Sequence, residues 1–186
     1  ARSLVRSAAE RSKPNNERLR EYTDAALPRI ERSLAADTPV YPDLEEVKLS
    51  FSLERMREWL GPDDQLVRSV LGSDSPDSRA ASLVKGTKLA DPKVRLALYE
   101  GGQAAIDASD DPMIRLAKQV DPVARSVRKQ YEDEVEGPTR SGQEAIAKAR
   151  FAALGTGIYP DATFTLRLSY GAVKGWEEKG KPVAPF

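Results

Sequence analysis

A mainly helical fold is expected from three observations on this 186-residue sequence. Apolar residues recur at spacings of three and four along most of the chain, with charged residues between them. A capping residue followed by proline stands at Ser75-Pro76, Asp91-Pro92, Asp111-Pro112 and Asp121-Pro122. In each pair the side-chain oxygen can accept from an orphan helix N–H while proline pre-sets φ. Strict polar–apolar alternation, the mark of a half-buried strand, is confined to 163–170, close to the C-terminus.

The elements follow in order. Residues 1–36 read as helix: Leu4, Val5 and Ala8 share a face, and Leu19, Tyr22, Ala26, Ile30 and Leu34 continue the ladder, with breaks expected at Pro14 and Pro28. Thr38-Pro39-Val40-Tyr41-Pro42 is a stop and a turn. A second helix spans 42–60, with Pro42 at a first-turn position where its missing N–H has no partner to lose. Gly61-Pro62 ends it, and a short helix follows over 64–71, closed by Gly72. The four cap–proline pairs then open further helices, the last over 122–154 with a break near Gly137-Pro138. Gly101-Gly102 should end one helix and start the next. The expected core draws on Leu19, Ile30, Leu44, Phe51, Trp59, Val70, Leu83, Leu96, Ile114, Val127, Ile146 and Phe151. In 163–170, Phe164, Leu166, Leu168 and Tyr170 form the apolar face of a strand that can extend through Val173 to Trp176. Glu177-Glu178-Lys179-Gly180-Lys181 reads as a polar turn.

Composition excludes several functions. With 29 basic and 29 acidic residues, the chain has no electrostatic reason to prefer nucleic acid or anionic lipid. There is no cysteine, hence no disulfide, thiolate nucleophile or cysteine metal site. There is no histidine, so a histidine-dependent triad cannot be completed within this chain. No apolar run is long enough to cross a bilayer, and no stretch of these residues is expected to act as a signal peptide.

Of the chemical motifs, Ser82-Leu83-Val84-Lys85 is an S-x-x-K tetrad, the pattern of a serine nucleophile with a lysine neighbour. Its supporting motifs are missing: Lys85-Gly86-Thr87 has the wrong order, and Ser109-Asp110-Asp111 only approximates S-D-N. The structural reading is a helix C-terminus, with Lys85 near the negative end of the dipole and Gly86 as cap. Glu132, Asp133, Glu134 and Glu136 do not converge on a helix, and read as a solvated face beside Arg125, Arg128 and Lys129. Asp107 to Asp111 lacks the glycine and final glutamate of an EF-hand loop. These readings leave no catalytic, cofactor-binding or metal-ligating residue, and no cofactor.

Some stretches are more specific than generic helix. They are Leu83-Val84-Lys85-Gly86-Thr87-Lys88-Leu89-Ala90-Asp91-Pro92, Asp110-Asp111-Pro112-Met113-Ile114, Arg128-Lys129-Gln130-Tyr131-Glu132, and the run from Tyr159 to Gly171 continuing Val173-Lys174-Gly175-Trp176. Together they resemble the bacterial dipeptidyl-peptidase 7 and dipeptidyl-peptidase 11 family of serine exopeptidases, over nearly the whole chain. The resemblance implies a periplasmic or cell-surface enzyme with a chymotrypsin-like double β-barrel and a helical domain inserted between its halves. Residues 1–157 would be that helical cap, and 158–186 the first strand region of the second barrel half. The triad histidine and aspartate would precede this chain and the nucleophilic serine would follow it. The parent would then remove dipeptides from peptide N-termini, with the cap closing its cleft, while the chain alone would be inactive. A stand-alone helical interaction module is the competing reading. Peptide substrate is the partner expected of the parent, and the terminal strand could also pair two copies into a homodimer.

Overall fold

The structure, a computed structural model, describes residues 1–155 and 170–185. It divides into two units, Ala1–Val135 and Glu136–Phe186.

In the first unit, α1 (Arg2–Arg11) is followed by two single 3₁₀ turns, Asn15–Glu17 and Arg20–Tyr22, and then by α2 (Leu27–Ala35). Pro14 marks the break after α1, whereas Pro28 sits in the first turn of α2 and starts it. The helix read over 42–60 is α3 (Pro42–Leu60), with Pro42 in its first turn. Asp64 caps α4 (Gln65–Leu71), accepting from the Leu66 and Val67 N–H groups. Three of the four cap–proline pairs start helices: Ser75 caps α5 (Pro76–Gly86), Asp91 caps α6 (Pro92–Ala108) and Asp111 caps α7 (Pro112–Tyr131). At Gly102 (φ 59°, ψ −144°) α6 is broken, as the paired glycines suggested.

The fourth pair behaves differently. Asp121-Pro122 lies inside α7, not at a helix start. Asp121 is 8% exposed, and its carboxylate faces Arg6 and Arg125 instead of a helix N-terminus. Tertiary ion pairing has taken the side chain that local geometry would have used as a cap.

Two apolar clusters form the interior. Leu4, Val5 and Ala8 of α1 pack with Leu34, Tyr99, Ile106 and Ile114, drawing α1, α2, α6 and α7 together. Leu53, Val67, Val70, Leu71 and Ala80 join α3, α4 and α5. Each large side chain buried this way contributes roughly 1.5–3 kcal/mol. Of the expected core, Val70, Leu83 and Ile114 are buried, and Ile30 and Leu96 pack against the first cluster from its edge. Leu19 is half-buried. Leu44, Phe51, Trp59 and Val127 are exposed, which corrects their placement. On α3 the cause is plain: the helix is apolar on two sides, and the Leu49–Leu53–Met56 stripe packs inward. Spacing alone could not choose between the two stripes.

The second unit holds α8 (Gly137–Leu154) and a hairpin of β1 (Trp176–Glu178) and β2 (Lys181–Val183). None of the α8 side chains is buried, so Ile146 and Phe151 are also corrected to exposed positions. The strands pair antiparallel, Trp176 opposite Val183 and Glu178 opposite Lys181. Lys179 (φ 52°) and Gly180 (φ 74°) make the two-residue turn, both left-handed as a type I′ hairpin requires. The sequence reading gave the turn but ended the strand at Trp176, where it begins. The alternating stretch up to Ser169 and the 157/158 boundary lie outside the described residues; Tyr170 is exposed.

Candidate functional site

Ser82 and Lys85 both lie on the exposed side of α5, in its last turns. Among the described residues no hydrogen bond joins their side chains. Gly86 is the last helical residue and Thr87 the cap, one position later than expected. Gly86 has another role: a Cβ added there would stand 3.0 Å from Pro112 Cγ.

That contact belongs to a clasp that unites two of the family-like stretches. The Asp111 carboxylate accepts from Met113 N at 2.9 Å, capping α7. It also accepts from Thr87 Oγ1 at 3.0 Å and from Lys88 N at 2.8 Å. One side chain thus satisfies a helix start and the loop leaving α5. A second clasp is Arg95, whose guanidinium donates to the carbonyls of Leu34 (2.8 Å), Leu89 (2.8 Å), Ala90 (2.7 Å) and Ala36 (2.6 Å). It closes the C-terminal end of α2 against the start of α6, and the positive charge suits the orphan carbonyls there. Residues from 83–92 and 110–114 therefore meet in a joint between α5, α6 and α7.

The charged residues of α1 and α7 are organised more tightly. Glu10 is fully buried. Its Oε1 accepts from Lys13 Nζ at 2.9 Å and Arg125 Nη1 at 2.6 Å, and its Oε2 from Leu19 N at 2.8 Å. Arg125 Nε also donates to Asp121 Oδ2 at 2.6 Å, and Arg6 Nε to Asp121 Oδ1 at 2.5 Å. Burial by itself would push the Glu10 carboxyl up. The Leu19 N–H, Lys13 and Arg125 more than offset it and hold the carboxyl at about 2. At Asp121 burial is likewise overcome by Arg125 and Arg6, and its pKa is lowered. Three cations, Arg6, Lys13 and Arg125, thus serve two carboxylates. The sequence reading missed this cluster, because its bonded partners Arg6 and Asp121 stand 115 residues apart.

By contrast, Glu132–Glu136 form a π-helical turn and not a convergent site. Arg128 pairs with Glu132 and Lys129 with Asp133, as the solvated-face reading expected, while Arg140 takes Glu136 and Arg125 turns instead to Glu10 and Asp121. Among the described residues no group of histidine, cysteine, aspartate and glutamate could hold a metal ion.

A cavity of about 400 Å³ lies beside the buried cluster, between α1, the second 3₁₀ turn and α2. Arg2, Arg6 and Arg29 line it together with Glu21, and Ala26, Ile30 and Leu34 give it an apolar wall. Glu21 is engaged by both terminal nitrogens of Arg128, which lowers its pKa.

The chain belongs to the peptidase S46 family, matching it over residues 1–186. Among its relatives is the Asp/Glu-specific dipeptidyl-peptidase of Shewanella putrefaciens (strain CN-32), 26% identical over 188 residues. That match takes in 96% of this chain but 25% of the relative, so the chain spans about a quarter of that protein's length.

Proposed function

We propose that this chain is the non-catalytic, cleft-capping part of a serine-type dipeptidyl-peptidase, placed in the periplasm or at the cell surface, that releases dipeptides from peptide N-termini. The observation that carries the reading is chemical: a chain of a peptidase family contains no histidine, and its one nucleophile-like pair, Ser82 and Lys85, is exposed and unconnected. The general base and the nucleophile it activates would come from other parts of the parent.

The exposed stripe of α3 supports a capping role. Leu44, Val47, Phe51 and Trp59 leave a large apolar surface in water, and such a surface marks a face that packs on more protein. In the parent that face would rest on the catalytic part, close one end of the substrate groove and keep bulk water out. Closing the groove on one side favours short N-terminal units over internal cleavage. The test is to replace the corresponding segment of the Shewanella relative by this chain, and separately by a short linker, and to follow cleavage of a long peptide by mass spectrometry. The chimaera should still release dipeptides; the linker form should lose them or yield longer products. A linker form that releases dipeptides at the original rate contradicts the capping role.

A further inference from the structure

The buried cluster has an excess cation, and its position gives that cation a use. Arg6 is 7% exposed, and its Nε is held by Asp121. Its terminal nitrogens find no hydrogen-bond partner among the described residues, although the side chain lines the cavity between α1 and α2. A guanidinium anchored through Nε with both Nη groups free presents the fork that matches a carboxylate. Arg2 and Arg29 stand on the rim of the same cavity. The single acid there, Glu21, is bonded to Arg128 and meets Arg6 only through the longer-range pull of its charge. The opposite wall, Ala26, Ile30 and Leu34, offers apolar surface and no competing charge.

We propose that this cavity is a binding site for a carboxylate carried on an apolar stem, such as the C-terminal residue of a peptide or an acidic side chain. Arg6 receives the carboxylate, Arg2 and Arg29 close over it, and the stem lies along Ile30 and Leu34. A volume of about 400 Å³ suits a ligand of one or two residues. The site depends on the charge geometry of the helical unit alone and does not rest on the capping role.

The test is titration of the isotope-labelled 186-residue chain, following the Arg6 Nε–H signal and the amides of α1 and α2 by NMR. N-acetylleucine should give saturable shifts at these positions, and N-acetylleucinamide, which lacks the charge, should give none. Acetate, lacking the stem, should bind at least fivefold more weakly. N-acetylglutamic acid α-amide distinguishes the sources: if it is the tighter ligand the site takes acidic side chains, and if N-acetylleucine is tighter it takes chain termini. The double variant Arg2→Gln/Arg29→Gln leaves the Glu10–Asp121 cluster intact. It should keep the thermal midpoint and lose tenfold or more in affinity. Equal binding of the amide, shifts that never saturate, or unchanged affinity in the double variant would overturn the proposal.

Discussion

Glu10 and Glu132 are the same residue type, each paired with arginine, and they are held in opposite ways. Glu10 is fully buried and takes three donors from three parts of the chain. Glu132, Asp133 and Glu136 meet cations one helical turn away on a largely solvated surface. The first arrangement is tertiary: without Arg125 and the turn at Leu19, a buried carboxylate would be left uncompensated. The second is local and screened by water. Two acidic clusters of similar composition thus make very different claims on stability, and only partners distant in sequence distinguish them.

The comparison can be broken most directly at Glu10. Glu10→Gln removes the negative charge but leaves Arg125 in place. It should cost about 3–5 kcal/mol in urea unfolding, the penalty of breaking a buried pair. A loss no larger than that of a surface substitution would put Glu10 in the same class as Glu132.

Acid should act on the same cluster. The folded Glu10 carboxyl sits at about 2, below its ordinary value of 4.5, so the unfolded chain binds the proton first as pH falls. The stabilisation is therefore complete above pH 4.5 and is lost between there and pH 2. It amounts to about 3 kcal/mol for Glu10 alone. Asp121 and Glu21, also lowered, shift stability in the same direction. Unfolding midpoints between pH 7 and pH 2.5 should fall steeply, and Glu10→Gln should flatten the curve.

Asp111→Ala removes the α7 cap and leaves Thr87 and Lys88 N without their acceptor. About 2–3 kcal/mol should be lost, more than a cap alone provides. Asp91→Ala, which removes a single cap bond to Lys93 N, is the control and should cost about 1 kcal/mol. At the exposed end of the series, Lys129→Ala should leave the thermal midpoint unchanged, since both it and its partner Asp133 are solvated.

What could be read from the sequence was what short-range chemistry decides. Pro42, Asp64, Ser75, Asp91 and Asp111 announce helix starts because a cap needs only the next three residues. Asp121-Pro122 carries the same signal and misleads, because Arg6, 115 residues away, claims its carboxylate. The α3 core was ambiguous because both its stripes have helical spacing. The hairpin was half legible: the polar run Glu177–Lys181 was read as a turn, but only Lys179-Gly180 turns, and flanking strands of three residues each are too short for alternation to show. At the site, the helix end that carries Ser82 and Lys85 and the solvated acidic run followed from local pattern. The buried cluster and its arginine-lined cavity did not, since α1, α2 and α7 meet only in the folded chain.

The proposal that most needs testing is that this peptidase-family chain serves its parent as architecture. The direct measurement is hydrolysis of dipeptidyl chromogenic substrates by the pure 186-residue chain, across acidic, basic and apolar residues at the cleavage position. The account predicts no turnover above buffer at any of them. Turnover that co-purifies with the chain and disappears in Ser82→Ala or Lys85→Ala would contradict it and make the exposed pair on α5 a catalytic dyad.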